Sequence, residues 1–344
     1  MVFMLNEGMS WEVVRLNEME AIRNATAKPA IVQRLWDVLI GRQPEPEIRE
    51  YHIIVTVFYI SATMLLARLL RIGNCKYMSR RVQPYTADAI STFQSIACGL
   101  ENGFVRRAYG MGAYCVQSFF LGYWASHTFG DSCSNPIRNF RKYMEGKQRL
   151  LRTVVLMSIQ MVAGQVAFAY ARQTWRLELS SEHAARFNEQ TCESHLNVPV
   201  MLGLAIELSA TVIDSIIAKT TTKRFMFERY EPFAKGIFGI MMTLAGLNLT
   251  GMYLNPANAT AQTWNCVGNT KLEYVLVYWI GPLVGVSLGV VIHEHLRRLW
   301  HALAANLHQT SKTSSTAAGQ TDIHLVSNGT TRGAAVAEET KKNL

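Results

Sequence analysis

Seven apolar windows, separated by short charged loops, run along the chain. A helix crosses a hydrocarbon core with about 20 apolar residues, and windows near that length lie at 52–71, 86–104, 109–130, 150–171, 198–218, 233–254 and 274–293. The stretch Tyr274 to Ile292 carries no charge, whereas the first window has Arg68 near its end, which shortens its uninterrupted apolar run. An apolar block beginning after fifty residues, with no small-residue cleavage site behind it, reads as an uncleaved anchor and not a secretory signal. Residues 1–50 and the tail 303–344 are polar; the tail, rich in Thr, Ser, Ala and Gly, is expected to be disordered.

Composition agrees with the windows: 49% hydrophobic residues against 17% charged ones in 344 residues is too apolar for an ordinary soluble protein. The net charge of +9 sits in loops between apolar blocks, so it is read by topology and points to no nucleic acid. Basic clusters at Arg71 to Arg81, Arg138 to Arg152, Lys219 to Arg229 and Arg297 with Arg298 are expected on the cytoplasmic face. The acidic stretch 176–195, with Glu178, Glu182, Glu189 and Glu193, and the loop 265–273 are expected on the other, the Arg106 and Arg107 pair being tolerated as a snorkelling helix end. If 52–71 spans, residues 1–50 share that outer side and the sequon at Asn24 is open to glycosylation; those at Asn248 and Asn258 lie in buried segments and are discounted. Six scattered cysteines without a CxxC pair suggest neither zinc nor a disulfide scaffold, and His127, His293 and His295 lack metal-ligand spacing. No metal and no cofactor is expected.

The chain repeats itself. Asp88 is followed by Thr92 in one window and Glu207 by Thr211 in another, and Asn135-Pro136 and Asn255-Pro256 follow at nearly the same offsets. Two independent markers thus agree on a spacing of about 120 residues. Each copy holds three windows, an odd number, so the second copy is inverted and the shared site falls at the bilayer midplane. Asparagine is favoured at an N-cap and proline at the first helical position, so each pair starts a short re-entrant helix, Asn135 to about Met144 and Asn255 to about Cys266. Two such N-termini facing one lumen present partial positive charge, disfavouring cations and protons, while the Asn amides offer donors to a neutral solute.

These residues resemble the aquaporin (major intrinsic protein) family. The resemblance rests on Asn135-Pro136-Ile137, Asn255-Pro256-Ala257, the acid and Thr pairs, Gly251 and the run Tyr278 to Pro282, and it covers about 85–295. Within the family the chain is similar to the unorthodox, or superaquaporin, branch: its first box departs from Asn-Pro-Ala, Cys266 lies nine residues after Ala257, and an extra apolar block precedes the first family span. The resemblance implies an all-α membrane protein, an inverted repeat of six transmembrane helices plus two re-entrant half-helices, with an additional N-terminal hydrophobic helix. It divides the chain into a polar segment 1–50, an extra helix 51–72, a channel domain 85–295 with repeats at about 86–175 and 198–295, and the tail. It also implies a homotetramer in the lipid bilayer and an endoplasmic-reticulum membrane, with the plasma membrane as the alternative.

The departures bear on selectivity. Orthodox members place Arg after the second box, where this chain has Asn258, and glycerol-conducting members follow that Arg with Asp, where it has Ala259. Counting from the two Asn residues puts the other constriction positions near Tyr114 or Cys115, Thr243 and Met252. Asp88 and Glu207 are implied to sit inside the bundle and bond the backbone leading into the half-helices. Ile137, in place of a small residue, either narrows the midpoint or displaces the facing half-helix. Cys266 reads as a branch-specific structural residue, a lumen-facing thiol or a partner of Cys192 on the same outer side; a buried free thiol is the expected state.

The function that follows is passive passage of water and small neutral solutes such as glycerol or hydrogen peroxide. A seven-helix receptor fits the number of windows but has no use for the repeat. A secondary transporter would need coupling-ion ligands, for which only Asp88, Glu207 and Asp214 are candidates. An enzyme is not expected, since the windows hold no Ser/His, paired Asp or HExxH arrangement.

Overall fold

A computed structural model of the chain describes residues 53–189, 191–220 and 230–303. The segment with Asn24, the basic residues Lys223, Arg224 and Arg229, and the tail beyond residue 303 lie outside the described residues. The helices are α1 (Ile53–Tyr77), α2 (Gln83–Thr128), α3 (Pro136–Met144), α4 (Leu150–Trp175), α5 (Ser181–Asn188), α6 (Val200–Thr220), α7 (Glu231–Gly246), α8 (Pro256–Thr263) and α9 (Lys271–Leu303), the last with a π-helical turn at Leu276–Ile280. The described residues contain one isolated backbone bridge, Glu193 with Val267, and no named strand. The chain divides at Ser287 into a body holding every element up to that residue and a second unit whose described residues are helical.

Among the described residues, α1, α4, α6 and α9 are long and apolar enough to cross a membrane. The windows 86–104 and 109–130 are the two arms of α2, which breaks at Gly110, where φ of 78° with ψ of −175° is a conformation that essentially only glycine adopts. The first arm is less apolar because it buries Asp88, Gln94, Glu101 and Asn102. The window 233–254 needs correction. Its helix ends at Gly246, and 247–254 is a non-helical lead-in to α8 whose apolar residues serve packing in an irregular loop.

The extra helix α1 belongs to the bundle by polar and small contacts, the usual currency of association where lipid is as apolar as the side chains. Thr56, Tyr59, Thr63 and Ala67 recur on one face and are fully buried. The Tyr59 hydroxyl donates to the Ala97 carbonyl (3.3 Å), Thr56 donates to the Glu101 carboxylate (3.1 Å), and the hydroxyls of Thr63 and Tyr170 lie 3.1 Å apart. Tyr59 then joins Phe93, Ile96, Ala97, Phe104, Ala167 and Trp175 in the main core, to which α8 contributes Ala257 and Ala261. Ala259, on another side of α8, packs with Tyr274, Val277 and Tyr278 of α9. A half-helix wedged between two clusters needs small residues. At Gly164 of α4 an added Cβ would stand 3.1 Å from the Ala257 carbonyl oxygen, and at Gly285 of α9 it would stand 2.5 Å from the Leu208 carbonyl oxygen.

Ion pairs tie the end of α3 to the end of α6. Glu145 lies 2.6 Å from Lys147 and 3.2 Å from Lys219, and Arg141 lies 4.0 Å from Asp214. Burial pushes the Glu145 carboxyl up, but the bonds from Lys147 and Lys219 outweigh it and hold the group below its ordinary range. Its stabilising contribution is therefore present at neutral pH and lost on acidification.

The opposite face is stapled by a disulfide, which overturns the expected free thiol at Cys266. Cys192 and Cys266 are bonded, with Cα atoms 4.7 Å apart. Their loops are also paired through the backbone: Val267 N–H donates to the Cys192 carbonyl (2.8 Å) and Ser194 N–H to the Val267 carbonyl (2.8 Å). Closing a loop between residues 74 apart in sequence is worth up to about 4 kcal/mol. Cys192→Ser, Cys266→Ser and the double variant are therefore expected to melt at one common, lower temperature. Alkylation of the denatured, unreduced protein should leave Cys192 and Cys266 unlabelled, and labelling of either would contradict the bond.

Candidate functional site

The two Asn-Pro boxes form the centre of the site. Asn135 and Asn255 are N-caps with extended backbone (φ −139° and −147°), each followed by proline at the first helical position. The side-chain oxygen of Asn135 accepts from Ile137 N–H (2.9 Å), and that of Asn255 accepts from Ala257 N–H (3.1 Å) and Asn258 N–H (3.3 Å). Each amide nitrogen then crosses to the other repeat. Asn135 Nδ2 donates to the carbonyl of Leu254 (2.8 Å), the residue before Asn255, and Asn255 Nδ2 donates to the carbonyl of Ser134 (3.0 Å), the residue before Asn135. The exchange places the two half-helix N-termini side by side. It commits one amide hydrogen of each Asn to the opposite loop, leaving one per residue for a solute. Ile137 and Ala257 are buried beside the caps, at 4% and 0% exposure.

An acid holds each lead-in. Asp88 Oδ1 accepts from Cys133 N–H (2.8 Å), and its Oδ2 accepts from Asn139 Nδ2 (2.8 Å) and Gln160 Nε2 (3.2 Å). Gln160 also donates to the Cys133 carbonyl (2.8 Å), so one α4 side chain grips both the acid and the backbone it holds. Glu207 accepts from Thr250 Oγ1 (2.7 Å), Tyr253 N–H (3.1 Å) and Leu254 N–H (2.9 Å), and Tyr278 donates to the Thr250 carbonyl (2.8 Å). Met252 and Leu254 both have left-handed backbone (φ 44° and 48°). Conformations of this kind cost about 1–3 kcal/mol each in non-glycine residues and persist only where surrounding bonds enforce them. Glu207 receives the amides of Tyr253 and Leu254, while Met252 N–H donates to Thr250 Oγ1 (3.2 Å), so the strained turn is clamped from both ends.

The remaining candidate positions are more dispersed. Asn258 is half-buried on α8 and its side-chain oxygen accepts from Gln262 (2.8 Å). Met252 is buried against Gly246, whose added Cβ would meet the methionine Cε at 2.6 Å. Thr243 donates its hydroxyl to the Gly239 carbonyl of its own helix (2.8 Å). Tyr114 and the free thiol Cys115 are half-buried on the second arm of α2. Four contributors carried no signal in the sequence: Gln160, Asn139, Thr250 and the pair His195 with Tyr253, whose Nδ1 and hydroxyl oxygen are 2.5 Å apart. A neutral polar residue in an apolar window is ordinary until its neighbour is known.

Comparison with known proteins meets this geometry. The chain is 24% identical over 255 residues to Aquaporin-11 of Milnesium tardigradum, covering 72% of this chain and 90% of that protein. It is 29% identical over 175 residues to Aquaporin-12 of Mus musculus, covering 50% of this chain and 60% of that protein. Both relatives fall in the superaquaporin group. Among solved structures, the X-ray structure of the aquaglyceroporin from Plasmodium falciparum superposes with a TM-score of 0.49 at 14% identity, covering 60% of this chain and 93% of that one. The profile of the Major intrinsic protein family matches residues 107–293, more than half of the chain and both Asn-Pro boxes, and the chain belongs to that family.

Proposed function

We propose that this membrane channel passes water and small neutral solutes, glycerol and hydrogen peroxide among them, through one lumen centred on Asn135 and Asn255. The observation that carries the reading is the reciprocal exchange of Asn135 Nδ2 to Leu254 O and Asn255 Nδ2 to Ser134 O. Two helix N-termini joined in this way oppose cations at the midpoint, a device general to aquaporin-type pores, while each leaves an amide hydrogen for a solute oxygen. Pro136, Ile137, Pro256 and Ala257 complete the boxes, and Tyr114, Cys115, Thr243, Met252 and Asn258 are assigned to the outer constriction. Asp88 and Glu207 act structurally, because their carboxylates are taken up by protein donors. Asp214 sits by Arg141. None of the three is left for a coupling ion, which weighs against a secondary transporter. A homotetramer in the endoplasmic-reticulum membrane is the assembly and location that the family branch supports.

Osmotic swelling of proteoliposomes tests the reading: water, glycerol and hydrogen peroxide should enter faster than into empty vesicles without collapse of an imposed proton gradient. With neutral Asn258 the outer mouth should be wide, so Asn258→Arg is expected to lower glycerol entry about threefold while lowering water entry less. An unchanged dependence on solute size would move the constriction elsewhere and remove Met252 and Thr243 from it.

A further inference from the structure

Arg106 stands in the last turn of the first arm of α2, before the break at Gly110, and bonds the turn that leads to the second half-helix. Arg106 Nη1 donates to Asn248 Oδ1 (3.2 Å), in the turn that joins α7 to Met252 and Tyr253. That turn is fixed from outside: Asn197 Nδ2 donates to the Asn248 carbonyl (3.0 Å) and Asn197 N–H to the Leu249 carbonyl (2.8 Å). His195, two residues before Asn197, stacks on Tyr253 with ring centroids 5.9 Å apart. The imidazole is pushed down to about 4, first by burial and then by the charges of Arg106, Arg186 and Arg107, so at neutral pH it is uncharged in a positive local field. Arg106 also lies close enough to Tyr114 for its charge to act on the phenol.

The three arginines differ in what balances them. Arg186 is paired with Glu189. Arg107 is exposed and lies over the Phe104 ring at 5.4 Å. Arg106 is half-buried, and among the described residues no carboxylate pairs with it; the group it binds is a neutral amide. A half-buried cation without a counter-ion is costly near a membrane core, and such residues mark the path of a permeant. Its field is poorly screened where water is scarce, so a second cation approaching it is repelled while a neutral solute is not. Asn258, held by Gln262, supplies no such charge.

We infer that Arg106, positioned by Asn248 with Tyr114 and His195 nearby, is the fixed charge that bars cations from the outer mouth of this channel. The inference rests on the passive-channel reading and adds to it a charge carried by a spanning helix instead of a half-helix. The test compares entry of methylammonium with entry of water in proteoliposomes containing the full chain, Arg106→Gln, Arg106→Met or Arg106→Lys. The two neutral variants are expected to raise the ratio of methylammonium to water flux about tenfold, and Arg106→Lys to keep it near that of the natural sequence. Adding Asn258→Arg to Arg106→Gln should bring the ratio back down, which the repair of a merely structural defect would not do. Asn248→Ala, which leaves the arginine but frees its guanidinium, should raise the ratio by a smaller factor and carries the test if neither neutral variant reconstitutes. Unchanged ratios in the variants that conduct water overturn the role of Arg106 alone. Vesicles holding the natural sequence that swell no faster than empty ones overturn the passive-channel reading and this inference with it.

Discussion

Glu207→Leu should cost the channel its fold. The carboxylate is fully buried and accepts from Thr250 Oγ1, Tyr253 N–H and Leu254 N–H. Leucine fills a similar space but leaves three donors unpaired in an apolar surrounding, each costing about 1–3 kcal/mol. It also removes the clamp on Tyr253 and Leu254, of which Leu254 is itself left-handed and Tyr253 follows left-handed Met252. Three unpaired donors together bring the cost to several kcal/mol, so the variant is expected to aggregate on extraction or to elute as a broad peak in fluorescence-detected size exclusion. Glu207→Gln keeps one acceptor oxygen and should fall between, monodisperse but melting at a lower temperature. Asp88→Asn is expected to be milder than Glu207→Leu, because Gln160 still holds the Cys133 carbonyl after the acid is neutralised. A monodisperse Glu207→Leu protein melting near the natural one would mean that the Thr250 to Leu254 turn is held by packing alone.

What the sequence made legible was chemistry that is local or conspicuous. Asn followed by Pro is a complete helix-start signal, since the cap bond and the fixed proline φ are settled within three residues. An acid in an apolar window is conspicuous because it must be satisfied inside the protein. Distance across the fold was not legible. Cys192 and Cys266 are 74 residues apart in sequence, and nothing in either neighbourhood says that the loops meet through Val267, so the free thiol was the natural expectation. The window 233–254 overran its helix for a related reason. Leu247, Leu249, Met252 and Leu254 are apolar, but hydropathy cannot tell a span from an irregular loop that packs in protein; the clue lay in Gly251 and in the acid that binds the loop from another helix. Likewise Gln160, His195 and Arg106 gained meaning only from what stands opposite them.

The two halves are symmetric in backbone logic and asymmetric in side chains. In each, an acid on the repeat's first helix receives an amide shortly before an Asn-Pro box, and the Asn reaches across to the other box. Around Asp88 the other partners are amide side chains, Asn139 and Gln160; around Glu207 they are a hydroxyl and a second backbone amide. The longer Glu side chain spans two successive amides of a strained turn, whereas Asp88 takes one backbone amide and leaves the rest to side chains. The first lead-in is thereby less dependent on its acid.

Asn255 separates the structural from the conductive part of a box. In Asn255→Asp the carboxylate still accepts from Ala257 N–H and Asn258 N–H, and a negative charge suits a helix N-terminus, so α8 should keep its cap. What disappears is the donor: the bond to the Ser134 carbonyl becomes an approach of two oxygens, and the remaining amide hydrogen is no longer offered to a solute. The charge also cancels the partial positive charge, about half an elementary unit, that a helix N-terminus presents. Asn255→Asp is therefore expected to fold and reach the membrane but to conduct water about tenfold more slowly and to dissipate a proton gradient that the natural channel maintains. Asn255→Ala loses the cap as well, about 1 kcal/mol, and should melt at a lower temperature than Asn255→Asp while leaking fewer protons, since it adds no charge. Stopped-flow swelling together with a vesicle-entrapped pH dye separates these outcomes. An Asp variant as fast and as proton-tight as the natural channel would show that exclusion depends neither on the Asn255 donor nor on its bond to the Ser134 carbonyl.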